Sequence, residues 1–143
     1  MENHYLLAQL RKEDYWESSS GQAVMRVYLK DCKNRHYTWF DTNSPVNETK
    51  AGEYRTLLFM VDGEIAYRAT ILEVHSYEYE APCPQFGKDP AAWRGEIART
   101  WIKLRRILPE HEITLDQLKI TSSGKAVKDV PILQRCLSYV SLK

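Results

Sequence analysis

The chain has 143 residues, 43% of them apolar and 27% charged, a balance that suits one packed domain and excludes wholesale disorder. Twenty Lys and Arg face nineteen Asp and Glu, so the net charge of +1 excludes a uniformly basic coat protein for nucleic acid and leaves room for a local basic face. Cys32, Cys83 and Cys136 are too few and too scattered for a disulfide framework or a zinc knuckle, which points to a reducing, cytosolic setting.

In chain order, residues 4–10 (HYLLAQL) read as a first strand, followed by a polar stretch through 18–21 (SSSG). Residues 24–29 (VMRVYL) fit two patterns: alternation makes them a strand, while Val24, Val27 and Tyr28 also form a helical stripe. Residues 35–40 (RHYTWF) are short, aromatic and strand-like, and 41–52, with Asn, Ser, Pro and Gly, read as a loop. Residues 54–61 and 64–75 flank Asp62-Gly63, the strongest hairpin signal in the chain. A long loop is expected over 76–92, which holds Pro82, Pro84 and Pro90, and loops of that length in compact domains are usually functional or mobile. Residues 96–108 form another long strand closed by Pro109; Thr114 then caps a helical turn, and Pro131 stands at the start of a short helix over 132–137. The expected fold is one α+β domain over residues 1–143, built on a curved sheet or small barrel with short flanking helices. The longest apolar runs, such as 57–61, are strand-sized and too short to cross a bilayer, so no membrane partner is expected.

The catalytic inventory is thin. Histidines 4, 36, 75 and 111 make no metal-ligand pair of helical spacing, and no Cys-x-x-Cys, glycine-rich phosphate loop or nucleophile elbow is present. Glu73 and His75 share one face of a strand, where a carboxylate and an imidazole could do acid–base work, although such a pair is more often a solvated strand face. Neither an enzyme nor a cofactor or metal is expected. Aromatics reach 11%, with nine Tyr and four Trp, residues that join a flat apolar face to a polar handle.

A strand–turn–strand at 57–66 (LLFMVDGEIA) is followed by a proline-bearing loop, then Trp93-Arg94-Gly95-Glu96-Ile97, then residues 99–104 (RTWIKL), Pro109 and a closing segment at 122–132 (SSGKAVKDVPI). Upstream stands Tyr37-Thr38-Trp39-Phe40-Asp41-Thr42-Asn43. In this order and spacing the chain resembles the YTH and EVE branch of the PUA-like superfamily, over roughly residues 36 to 140.

The resemblance implies a PUA-like fold that reads modified nucleobases in DNA or RNA, either free-standing or as the specificity domain of a methylation-dependent restriction enzyme or an RNA-binding protein. A base hides its modification inside a duplex, so a reader takes single strands or flips the base out, and aromatic faces then stack on it. On this reading Trp39 forms the pocket wall and Phe40 the core. Asp41, Thr42 and Asn43 meet the base edge, and Tyr77, Tyr79 or Phe86 replaces the second Trp that such pockets usually have. Trp101 belongs to the core, and Trp93 serves as a lid or a packing plug. Arg94, Arg99, Lys103, Arg105, Arg106, Lys125 and Lys128 are the candidate phosphate ligands. Two other functions fit the residues: a PUA-like or OB-like module binding unmodified RNA through aromatics spread over an open strand face, and a protein-interaction domain.

Overall fold

The computed structural model describes residues 2–10, 21–91, 94–130 and 137–143. Strand β1 (His4–Leu10) leads to helix α1 (Gly21–Arg35), strand β2 (Thr38–Thr42), the short helix α2 (Glu48–Gly52) and strands β3 (Thr56–Val61), β4 (Glu64–Pro82) and β5 (Ile97–Pro109). A 3₁₀ turn (Leu115–Gln117), strand β6 (Leu118–Ile120), a second 3₁₀ turn (Val127–Asp129) and strand β7 (Leu137–Leu142) complete it. Among the described residues 48% lie in strands and 22% in helices, so the domain is α+β with the sheet dominant.

The seven strands make one mixed sheet in the order β2-β5-β4-β3-β1-β7-β6. Strands β1 and β3 run parallel and the other neighbours antiparallel. The sheet is open, with β2 and β6 at its edges, and no pairing among the described residues closes it into a barrel.

Strands β1 and β3 lie inside the sheet and are buried on both faces, which is why they read as unbroken apolar runs. Leu6, Ala8, Leu10, Leu57 and Phe59 meet Val24, Met25 and Tyr28 of α1 on one face. Tyr5, Leu7, Leu58 and Met60 meet Ile113, Leu118 and Val127 on the other. Buried Val24, Met25, Tyr28 and Cys32 follow helical spacing, so the ambiguous segment 24–29 is helix. Asp62 and Gly63 both have positive φ, 49° and 91°, the backbone of the expected two-residue hairpin turn.

Five expected boundaries need correction. Arg35 ends α1 rather than opening a strand, because His36 turns left-handed (φ 69°) and closes the helix with its N–H on the Cys32 carbonyl. Asp41 and Thr42 belong to β2, and the rest of the expected loop holds α2, capped by the Asn47 side chain, which accepts from the Lys50 N–H at 3.0 Å. β4 runs on to Pro82, so Tyr77 and Tyr79 stand on a strand rather than a loop. The 114–119 segment is a 3₁₀ turn that passes at once into β6. Of the helix expected over 132–137, residues 132–136 lie outside the described residues, and Leu137 opens β7 instead of ending a helix.

Candidate nucleic-acid interface

The end of the sheet formed by β2, β5 and β4 has one face against α1 and the other under a loop. Register sets this out: Trp39 pairs with Lys103 and Asp41 with Trp101, while on the far side of β5 Glu73 pairs with Lys103 and His75 with Trp101. These residues share the face turned away from α1, whereas Phe40, Val74 and Ile102 share the core face beneath the helix. Alternation therefore separates Trp39 from Phe40 as expected, yet both are buried, because both faces are covered.

The outer cover is the 83–91 loop. Trp39 and Trp101 are 1% and 0% exposed and pack with Cys83, Ala98 and half-buried Tyr37. The Trp39 indole N–H donates to the Gln85 side-chain oxygen at 3.1 Å, and that of Trp101 donates to the Ala81 carbonyl at 2.9 Å. Burial pushes the Cys83 thiol above its ordinary pKa, so it is a packing group rather than a nucleophile.

Asp89, unremarked in the sequence, clamps this loop. Its buried carboxylate accepts from the Gly95 N–H at 2.7 Å and pairs with Arg94 at 3.0 Å, and Arg94 also donates to the Gly87 carbonyl. On the other side Arg35 donates to the Lys88 carbonyl and to Asp31, both at 2.6 Å, and Asp31 also accepts from the Thr38 hydroxyl. An Asp followed by Pro with an Arg five residues on was the local signal for such a clamp.

Beside Trp39 the face is polar. His75 Nε2 lies 3.0 Å from Glu73 Oε1, and Lys103 Nζ lies 3.6 Å from Glu73 Oε2. The hydrogen bond from His75, followed by the charge of Lys103, outweighs desolvation and holds the Glu73 carboxyl below its ordinary pKa. A carboxylate so stabilised is a weak general base but a good acceptor. The His75 ring is 5.9 Å from that of Trp39, and Lys103 Nζ sits 4.6 Å over Tyr37 and 5.8 Å from Trp39, with Arg35 on Tyr37 at 4.7 Å. The suggestive pair of the sequence is thus in contact, and its third member, Lys103, comes from the neighbouring strand. Among the described residues no group of three or more His, Cys, Asp or Glu could hold a metal ion.

Asp41 shares the Trp39 face and Asn43 is exposed just past the strand. Thr42 points to the opposite, buried face and accepts from the Ser44 N–H at 3.2 Å, so it cannot line a site with Trp39. Tyr77, Tyr79 and Phe86 are 36%, 76% and 97% exposed and do not enclose Trp39. Instead Tyr77 and Tyr79 lie on the stretch of β4 between the Ser76–Thr100 and Ala81–Ala98 pairs, where the register shifts, and Phe86 lies on the loop that follows; among the described residues no other strand pairs with β4 or β5 there. Trp93 lies outside the described residues.

The seven basic residues do not form one cluster. Arg94 is engaged in the loop clamp, Arg99 donates to the Tyr77 carbonyl at 3.4 Å, and Lys103 pairs with Glu73. Arg105 and Arg106 stand together, exposed, near the other end of β5. Lys128 pairs with Asp116 at 3.3 Å, and it and exposed Lys125 lie beside β6, at the opposite edge of the sheet from β2. β5 and β6 are five inter-strand steps apart, about 24 Å across the sheet.

No helix among the described residues is long and apolar enough to cross a membrane. No family model matches the chain, and neither does any curated protein or any solved structure.

Proposed function

We propose that this chain is a nucleic-acid-binding reader of PUA-like build that takes an unpaired or flipped base, with a methylated base as its cognate ligand, at the outer face of β2, β5 and β4. The observation that carries the reading is the company Trp39 keeps. Its ring is buried among Cys83, Ala98, Trp101 and Tyr37, its N–H is held by one side chain, Gln85 of the 83–91 loop, and Asp41, Glu73, His75 and Lys103 stand on the same face. Loop displacement would open an aromatic wall ringed by donors and acceptors suited to a base edge. The exposed Tyr77, Tyr79 and Phe86 next to it offer stacking faces to flanking bases.

That exposed row also favours a second reading, a module that stacks on unmodified single-stranded RNA, because its aromatics spread over β4 and the loop after it instead of converging. One titration separates the two. Matched single-stranded oligonucleotides with and without a base methyl group should differ in affinity about fivefold if the methyl is enclosed, the worth of about 1 kcal/mol of burial. Equal affinity supports the stacking module. The double variant Tyr79→Ala/Phe86→Ala should weaken either oligonucleotide at least fivefold, from about 1–3 kcal/mol per lost stacking face, with its melting temperature unchanged. Unaltered binding in that variant, or no binding of any oligonucleotide by the wild type, would overturn both readings.

A further inference from the structure

We propose that the notch between the C-terminus of α1 and residues 105–107 of β5 is a phosphate-binding site. The notch follows from the topology. β2 begins at Thr38, opposite Leu104, so beyond that pair β5 has no strand on this side among the described residues. The last turn of α1 comes down beside the open edge and leaves a groove of about 610 Å³, floored by Leu29 and Ile107 and rimmed by Lys33, His36, Arg105 and Arg106.

Lys33, Arg105, Arg106 and His36 thus line one groove whose lining contains no carboxylate. Among the described residues no ion pair engages Lys33, His36, Arg105 or Arg106. A basic residue in the last turn of a helix is ordinary complement to its dipole, which accounts for Lys33. It does not account for two arginines on a strand across the groove. His36 and Arg106 are two of the described non-glycine residues with positive φ, 69° and 54°, so both walls are turned by residues that keep a cationic or ring-nitrogen side chain where glycine would be the easier choice. Mutual repulsion among such groups is relieved by a multivalent oxyanion, and guanidinium pairs match phosphoryl oxygens in a bidentate way.

The groove also continues the candidate interface. Lys103 and Arg105 alternate onto one side of β5, about 7 Å apart, and Tyr37, which follows His36, carries Lys103 and Arg35 on its ring. A strand with a base near Trp39 would thus have its backbone led toward the notch. The proposal deepens the nucleic-acid reading and rests on it only for the source of the phosphate; a polynucleotide backbone and a free phosphorylated metabolite present the same oxyanion.

The test uses inorganic phosphate, adenosine 5′-monophosphate and a single-stranded 12-mer, each titrated into the ¹⁵N-labelled full chain, with Arg105→Gln/Arg106→Gln as the groove variant and Lys143→Gln, an exposed residue after β7 on the far side of the sheet, as the control. Phosphate should shift the amides of Lys33, His36, Arg105 and Arg106 in the wild type and not in the groove variant. The 12-mer should bind that variant about tenfold more weakly in low salt, with a salt dependence shallower by about one ion, while the control matches the wild type. If phosphate and the mononucleotide shift the groove but no oligonucleotide binds, the site stands as one for a free phosphorylated ligand and the nucleic-acid reading falls. If the 12-mer binds, weakens in the Tyr79→Ala/Phe86→Ala variant and is indifferent to the groove variant, with no groove amide moved by phosphate, the reading stands and the groove proposal is overturned. Equal weakening by the groove variant and the control would overturn it as well.

Discussion

Glu73 meets His75 through one carboxylate oxygen at 3.0 Å and Lys103 through the other at 3.6 Å, which makes it the electrostatic hinge of the outer face. Its carboxyl is held below the ordinary range first by the His75 hydrogen bond and then by Lys103, against desolvation. A group whose folded pKa lies below its unfolded value adds stability at and above the unfolded value and loses it as pH falls through the folded one. The side chain is half exposed, so solvent screens the pairing and its worth is under about 1 kcal/mol. Glu73→Gln should therefore lower urea-unfolding stability slightly at neutral pH, and the gap to wild type should close at a strongly acid pH, below the ordinary carboxyl range, as the folded group takes up its proton. A gap of the same size at both pH values would show that charge is not what Glu73 contributes. The pairing of Glu73 with His75 was legible from their spacing of two along a strand. Lys103 was not, because cross-strand register depends on three bulges between β4 and β5 that leave no mark in the local pattern.

Among the elements, the 83–91 loop is the one that ties down Trp39 from outside the sheet, through Gln85 on the indole N–H and Cys83 against the ring cluster. Its anchor is Asp89, a buried carboxylate with two donors, Arg94 and the Gly95 N–H. Cys83, the first residue of the same loop, is buried and burial raises its thiol pKa, so its alkylation should be slow and should report loop opening. Asp89→Ala removes the anchor at a cost of about 1–3 kcal/mol. It should speed iodoacetamide labelling of Cys83 several-fold, read by peptide mass spectrometry, under conditions where Cys32 in α1 labels at its wild-type rate. Equal acceleration at both cysteines would mean global loosening instead of loop release. The loop's beginning was misplaced in the sequence because Pro82, Pro84 and Pro90 weigh on a composition window as a group, while the alternation of Tyr77, Glu78, Tyr79 and Glu80 continues the strand up to the first proline. Likewise α2 hid in a segment rich in turn formers, with Asn47 as its one local signal.

At the scale of the whole molecule, the α+β class and the two longest strands could be read from the chain, and the sheet order could not. Alternation tells which side chains share a face but not which strand lies next door, and the parallel β1–β3 pair depends on a crossover through α1 and β2. That order divides the sheet into unequal parts. β1 and β3 are inner strands buried on both faces, whereas beyond Ser76 and Thr100 the β4–β5 end has no third strand paired to it among the described residues. Local opening is set by such differences in burial and pairing, so hydrogen exchange should divide the same way. Amides of Leu6 to Leu10 and Leu57 to Met60 should exchange only through global unfolding, and their rates should track denaturant stability. Amides in 77–82 and 97–99 should exchange orders of magnitude faster through local opening, with little denaturant dependence. An oligonucleotide that stacks on Tyr77, Tyr79 and Phe86 binds only the ordered form of this end, and by mass action it should slow exchange there while leaving β1 and β3 rates tied to global stability. Amides at this end as protected in the free protein as those of β1 would contradict this division, because the aromatic row would then belong to a rigid unit with no opening left for a ligand to suppress.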